Sequence, residues 1–347
     1  MKLLMRPPSS SLCALASALG IFCASSGAFA QTAATDPVGF ITINVAAGSA
    51  ASPTLSLISP TLLQSVAWQG TIASVSGTTM TVSGTPWTAG QFGTTGQYFV
   101  EVVSGANAGA WTDIESSTTS SITTLDDLSA FASANSTIRI RKHNKLTDFL
   151  GVNNSAGLKG ATELALADEV AIYDGSNSAT YWYYDGSDGG TPGWLDSKFN
   201  SAANVVIAPN EGVVIRHKTT SAVNFTSMGT VKTGNTFFPI RTGVNVVGTV
   251  AASGLTLATS GLYTGNGTTG VKGGTEVALA DEITIFSGNS SATYWYYDGS
   301  DGGTPGWLDS AFLSANATSI APGSSIIIKR KAPGVAFNWA VPSPATF

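Results

Sequence analysis

One segment of sixty residues occurs twice in this chain, and nothing else in the sequence constrains the fold as strongly. Residues 159–218 align without a gap on residues 272–331, an offset of 113, and residues 178–197 are identical to 291–310. Whatever the first copy folds into, the second must fold into as well. The period is too long for a solenoid unit and reads as duplicated domains or half-domains. The similarity begins earlier, at Leu146 and Leu257, where LTDFLGVNNSAGLKG matches LATSGLYTGNGTTGVKG with a two-residue gap. Each copy closes on an apolar strand running into basic residues, 213–218 and 326–331, and a third such ending lies upstream at 138–143. That third ending predicts a diverged unit in the first part of the chain. On this reading the chain divides into residues 31–145, 146–256 and 257–347.

The local patterns are those of β-structure. Residues 40–45 alternate Ile41, Ile43 and Val45 with Thr42 and Asn44, as in a half-buried strand. Residues 72–75 and 80–82 flank Ser76-Gly77-Thr78, and 170–173 with 180–184 flank Asp174-Gly175-Ser176-Asn177, both hairpin patterns. The second copy repeats the latter hairpin at 283–286 and 293–297. Closely spaced short strands with Gly, Asn, Asp and Ser turns predict an all-β protein of tandem sandwich-like or barrel-like units. Short helices are expected at 146–150, 195–203 and 308–315.

The first thirty residues read as an address. Lys2 and Arg6 precede an apolar run at 12–24, and Ala28-Phe29-Ala30 places small residues at −3 and −1 of a cut before Gln31. The run is shorter than the ~20 residues a membrane span needs, and no later segment approaches that length. Both cysteines, Cys13 and Cys23, fall within this signal peptide, so residues 31–347 carry no disulfide and no cysteine–zinc site. The expected location is the periplasm, the cell surface or the extracellular space. An apolar content of 43% supplies a core and argues against disorder. Loss of Lys2 and Arg6 leaves 14 basic against 21 acidic residues, which argues against a nucleic-acid partner.

Candidate chemistry is sparse. The two histidines, His143 and His217, sit in basic clusters at strand ends and read as solvated; neither has a Gly-x-Ser-x-Gly elbow to serve it. The basic endings themselves read as solubilising. The loop with Asp185, Asp188 and the more distant Asp196, repeated as Asp298, Asp301 and Asp309, is the candidate calcium site. Against an EF-hand template Asp185 fits the first position, but Gly189 stands where an oxygen ligand belongs. A hairpin turn with local Asp hydrogen bonds is the competing reading. The densest aromatic feature is Tyr181-Trp182-Tyr183-Tyr184 with Trp194. Tyr181, Tyr183 and Trp194, with their copies Tyr294, Tyr296 and Trp307, are the candidate residues for stacking on a glycan or a protein; core packing is the alternative. The pairs Asp168-Glu169 and Asp281-Glu282 suggest two-carboxylate glycosidase chemistry. Neighbours on a strand face opposite ways, however, so one pair does not converge on a bond. A terminal Phe347 follows Pro342 and Pro344, which argues against an outer-membrane barrel strand.

Several short stretches together resemble a known group of sequences. They are Asp36-Pro37-Val38-Gly39-Phe40, residues 98–105, Thr124-Leu125-Asp126-Asp127-Leu128, Ile140-Arg141-Lys142-His143, and the Ala167-Asp168 and Ala280-Asp281 pairs, each followed by an aromatic strand and a Trp. The chain resembles a family of uncharacterised secreted proteins, often present as many paralogues, in Verrucomicrobia and related bacteria. The resemblance implies a bacterial exported protein and carries no activity or site residues with it. The expected role is non-catalytic, as a structural or interaction protein with a surface glycan or protein as partner. Paired carbohydrate-binding modules are the first alternative and a glycan-active hydrolase the second.

Overall fold

The computed structural model describes residues 36–342 apart from 95 and 289. The expected signal peptide and Phe347 lie outside the described residues. The protein is all-β, with a single short helix among them.

The chain opens with β1 (Val38–Val45) and β2 (Thr54–Ile58) and then enters a closed barrel. Its strands are β3 (Val66–Ser76), β4 (Thr79–Val82), β5 (Tyr98–Val102), β6 (Trp111–Ser117), β7 (Ser121–Thr124) and β8 (Thr137–Lys142), in the order β3-β4-β7-β6-β5-β8. The β3–β4 hairpin closes on Gly77-Thr78, with Ser76 opposite Thr79 and Gly77 at φ +57°. The barrel interior is filled by Ile72, Met80, Phe92, Val100, Ile114, Ile122, Ile138 and Ile140. One wall is buried on both sides: Val100 and Val102 point inward while Phe99 and Glu101 point out into the rest of the molecule.

The chain leaves the barrel at β9 (Asn144–Lys145) and α1 (Leu146–Leu150), then builds β10 (Glu169–Asp174), β11 (Asn177–Tyr184), β12 (Gly193–Asp196), β13 (Val206–Ile207), β14 (Gly212–His217) and β15 (Val223–Thr230). These form a five-stranded sheet, β12-β11-β10-β14-β2, flanked by the ribbons β1-β15 and β13-β9. The second copy repeats this with β16 (Thr236–Ile240), β17 (Gly243–Val247), β18 (Leu255–Thr256), β19 (Glu282–Ser287), β20 (Ser290–Tyr297), β21 (Gly306–Asp309), β22 (Ser319–Ile320), β23 (Ile326–Arg330) and β24 (Phe337–Val341). Its sheet is β17-β23-β19-β20-β21, with ribbons β16-β24 and β18-β22.

The correspondence is strand for strand, and it reaches beyond the alignable sequence. β1 and β2 do in the first copy what β16 and β17 do in the second. Pairing therefore crosses both boundaries drawn from the sequence. Residues 38–58 pair with strands after position 145, and residues 236–247 pair with strands after position 257. The barrel interrupts the first copy between β2 and β9, and its strand order differs from that of both sheets. Its two ends meet, with Asn144 Nδ2 donating to the Leu62 carbonyl at 2.9 Å and Gln64 Nε2 to Asn144 Oδ1 at 2.8 Å.

Of the three helices expected, only 146–150 forms. At 196–200 the Asp196 Oδ1 atom accepts the amides of Lys198 and Asn200, both at 2.8 Å, which gives the backbone a turn in place of a helical ladder. Asp309 does the same for Ala311 and Leu313. Phe199 and Phe312 consequently sit at φ +64° and +61°.

Candidate functional site

Each copy of the repeated sequence ends on a buried clamp, and the barrel's basic ending meets a buried ion network of its own. Asp168, just before β10, accepts the amide of Lys159 on Oδ2 and that of Lys218 on Oδ1, both at 2.7 Å, and His217 Nδ1 lies 2.7 Å from Oδ2. Asp281 accepts the amides of Lys272 at 2.7 Å and Lys331 at 2.8 Å, and Arg330 Nη1 donates to it at 2.5 Å. His217 and Arg330 are equivalent positions, so the two copies hold the same carboxylate with different side chains. In the barrel Arg141 donates Nε to Glu101 at 2.9 Å and pairs with Asp36, and Lys232 Nζ lies 2.8 Å from the other Glu101 oxygen. This network ties the start of the described chain, the barrel wall and the segment joining the two copies. Burial pushes the Glu101 carboxyl up, but Lys232 and Arg141 outweigh it and hold the group below its ordinary value.

These positions correct the reading of the basic endings and of the histidines as solvated. Arg141, His217 and Arg330 are at most 1% exposed, and His143 is buried against the Phe99 ring with Nε2 at 2.8 Å from Asp113 Oδ1. An unpaired buried charge is expensive, so each basic residue pointing inward has a carboxylate waiting for it. In the sequence those partners lie 30–105 positions away. The Asp-Glu pairs do not converge on a bond. Asp168 and Asp281 are sealed in the clamps, while Glu169 and Glu282 on the opposite face pair with Arg216 and Lys218, and with Lys329 and Lys331. Burial raises Glu169 and Glu282, and those cations more than compensate, holding both low.

Trp194 and Trp307 are core residues at 2% exposure, packed edge-on against Tyr183 and Tyr296 at 5.4 and 5.5 Å. The Trp194 indole donates Nε1 to the Gly151 carbonyl at 2.8 Å. Neither offers a ring face to a sugar. Tyr181, Tyr183, Tyr294 and Tyr296 are half-buried against the same cores. Tyr181 alone of these also lines a shallow depression beside Asp196 and Glu169. On the other sheet face Trp182 is covered by Ala161, Ala167 and Leu164 in a small cluster of its own.

The aspartates of the calcium candidate make turns. Asp185 Oδ1 accepts the Ser187 amide at 2.9 Å, Asp188 takes the Tyr184 hydroxyl, and Asp196 lies at the far end of β12, about 10 Å along the strand from the loop. Asp298, Asp301 and Asp309 repeat this with Ser300, Tyr297 and Ala311. No group of three or more His, Cys, Asp or Glu side chains with metal-binding geometry occurs among the described residues.

A cleft of about 480 Å³ that the sequence reading did not find lies where the barrel meets both copies. The barrel contributes Trp111, Asp113, Asp126, Asp127 and Phe131, the first copy Asp174, Asn210 and Glu211, and the second Phe237, Arg241 and Asn338. Phe131 and Phe237 meet edge-to-face at 6.4 Å and 63°, and Trp111 Nε1 donates to the Phe237 carbonyl at 2.9 Å. Glu211 Oε2 accepts the Ala208 amide at 2.6 Å. Burial pushes the Glu211 carboxyl up to about 7; the amide bond opposes this, and the charges of Asp174 and Asp113 add to it. Asp174 is itself paired to Arg241 at 2.8 Å. No local motif marks these residues, because their convergence depends on where the barrel docks. No family model matches the chain, and neither the curated proteins nor the solved structures searched contain a match.

Proposed function

We propose that the protein is an exported, non-catalytic interaction protein whose partner, a surface glycan or protein, engages the cleft between the barrel and the two copies. The observation that carries this is how the ionisable groups are used. Those repeated in both copies are consumed in buried clamps and turn bonds, and half-exposed aromatic and carboxylate groups gather in the cleft instead. The burial of Trp194 and Trp307 favours this reading over a pair of sugar-stacking modules. The test is retention of residues 31–347 on insoluble polysaccharides and on cell-envelope fractions, with retention lost in Phe131→Ala of unchanged melting temperature. Binding that ignores the cleft variant refutes the assignment. Export is tested by the first residue of the protein recovered outside the cytoplasm, expected to be Gln31.

One observation favours a second reading, glycan hydrolysis: a carboxyl held near neutrality, Glu211, shares a cleft with Asp113 and Asp174, as an acid–base pair would. Turnover of aryl glycosides abolished by Glu211→Gln would replace the non-catalytic reading with this one.

A further inference from the structure

We propose that this cleft is a receptor for an alkylammonium cation, whose methyl or methylene groups lie in the corner between Phe131 and Phe237 while Asp113 and Glu211 balance its charge. The proposal rests on the cleft being the binding surface. Two independent features meet there. The first is an aromatic corner: two half-buried rings inclined at 63° to each other both line the cleft, and aromatic rings attract cations that shed water easily. The second is charge. Five carboxylates line the cleft against one guanidinium, and that guanidinium, Arg241, is already taken by Asp174. An anion would meet net repulsion, and a neutral apolar ligand would bring no charge to offset the acidic lining.

Glu211 gives the site a titration signature. The groups facing it are Asp113 with its His143 partner, Asp174 with Arg241, and the Tyr181 hydroxyl on the sheet behind; Asp126 and Asp127 stand on the barrel side. A bound cation favours the ionised carboxylate. With the group raised to about 7, binding at pH 7 releases roughly half a proton, and affinity rises about tenfold between pH 6 and pH 8.

The experiment is calorimetric titration of residues 31–347 with choline, whose charge is permanent, and with its neutral isostere 3,3-dimethylbutan-1-ol, at pH 6, 7 and 8. Choline is expected to bind at least about tenfold more tightly than the isostere at pH 8 and to show the stated pH trend and proton release. In Glu211→Gln, whose amide oxygen still accepts the Ala208 N–H, the pH trend should vanish. Equal binding of the two probes, no choline binding, or wild-type affinity independent of pH would each overturn the proposal, and the wild-type series needs no variant to fold. Polysaccharide or envelope retention through the cleft without choline binding would overturn the cation receptor and leave the interaction reading standing; loss of both would remove both.

Discussion

The two clamps offer a matched experiment, because one carboxylate is held by arginine and its copy by histidine. In Asp281→Asn the Arg330 guanidinium, 1% exposed, keeps its charge and loses its counter-ion, and one of the amides of Lys272 and Lys331 faces an NH₂ group. Breaking a buried pair in this way costs about 3–5 kcal/mol. For a chain of roughly 300 ordered residues unfolding as one unit, 4 kcal/mol lowers Tm by about 6 °C. Asp168→Asn likewise leaves one of the two amides, of Lys159 or Lys218, facing an NH₂ group, but the partner stranded there is an imidazole, a ring that exists in a neutral form, whereas a guanidinium always carries its charge. Its cost should be about 2 kcal/mol, mostly the lost amide acceptor. Urea unfolding of the two variants should therefore differ by at least about 1 kcal/mol, the second copy suffering more. Asp281→Asn/Arg330→Met should recover part of the loss, since it removes the stranded charge. Equal costs within about 0.5 kcal/mol, or no recovery, would refute the argument that uncompensated charge sets the penalty.

Trp194→Ala and Trp307→Ala should each destabilise by about 3–5 kcal/mol in thermal or urea melts, as core deletions do. Glu101 has a lowered carboxyl, so its contribution is complete above the ordinary glutamate value near 4.5 and is lost as pH falls through the lower folded value; Lys232→Met should shrink this acid-dependent loss in melts between pH 6 and pH 3. Glu211 has the opposite sign: its contribution is present below about 4.5 and lost as pH rises through about 7, so Glu211→Gln should gain on the order of 2 kcal/mol over the wild type at pH 8 and little at pH 4. A fragment ending at position 256 retains β16 and β17 without β24 and β23, and should aggregate more than one ending at 232 by light scattering.

The parts of the fold legible in the sequence are those governed by neighbours. The hairpins at 76–79 and 174–177 form where Gly77 and Gly175 supply positive φ, and the alternation of 40–45 becomes β1 with Ile43 and Val45 inward. The class all-β followed from these. What the sequence hid is set by distant pairing. The ribbon partner of β1 begins near position 223, and no similarity to β16 survives to announce it. The basic endings misled for a related reason: Arg141 and Lys142 are adjacent, yet one points into the junction and the other to solvent, and only the location of Glu101 and Asp36 decides which. The cleft was invisible because its walls come from three segments that meet only after the barrel has docked.

The barrel's position between β2 and β9 has a consequence for assembly order. In the first copy Ser56 must find Ile215, while the equivalent strands of the second copy join Asn245 to Ile328, about half as far along the chain. Doubling a flexible loop adds only about 0.6 kcal/mol of closure entropy. Even that shrinks if the barrel forms first, since its ends, tied through Asn144, then behave as a short connection. A domain emerging amino-terminus first would thus complete the barrel as its earliest cooperative unit. The half-built first sheet would have to wait for β14, with the edge of β2 unpaired until then. Slow or interrupted emergence of the chain between positions 142 and 217 would prolong that exposure, and β1 would wait longer still, until β15 follows.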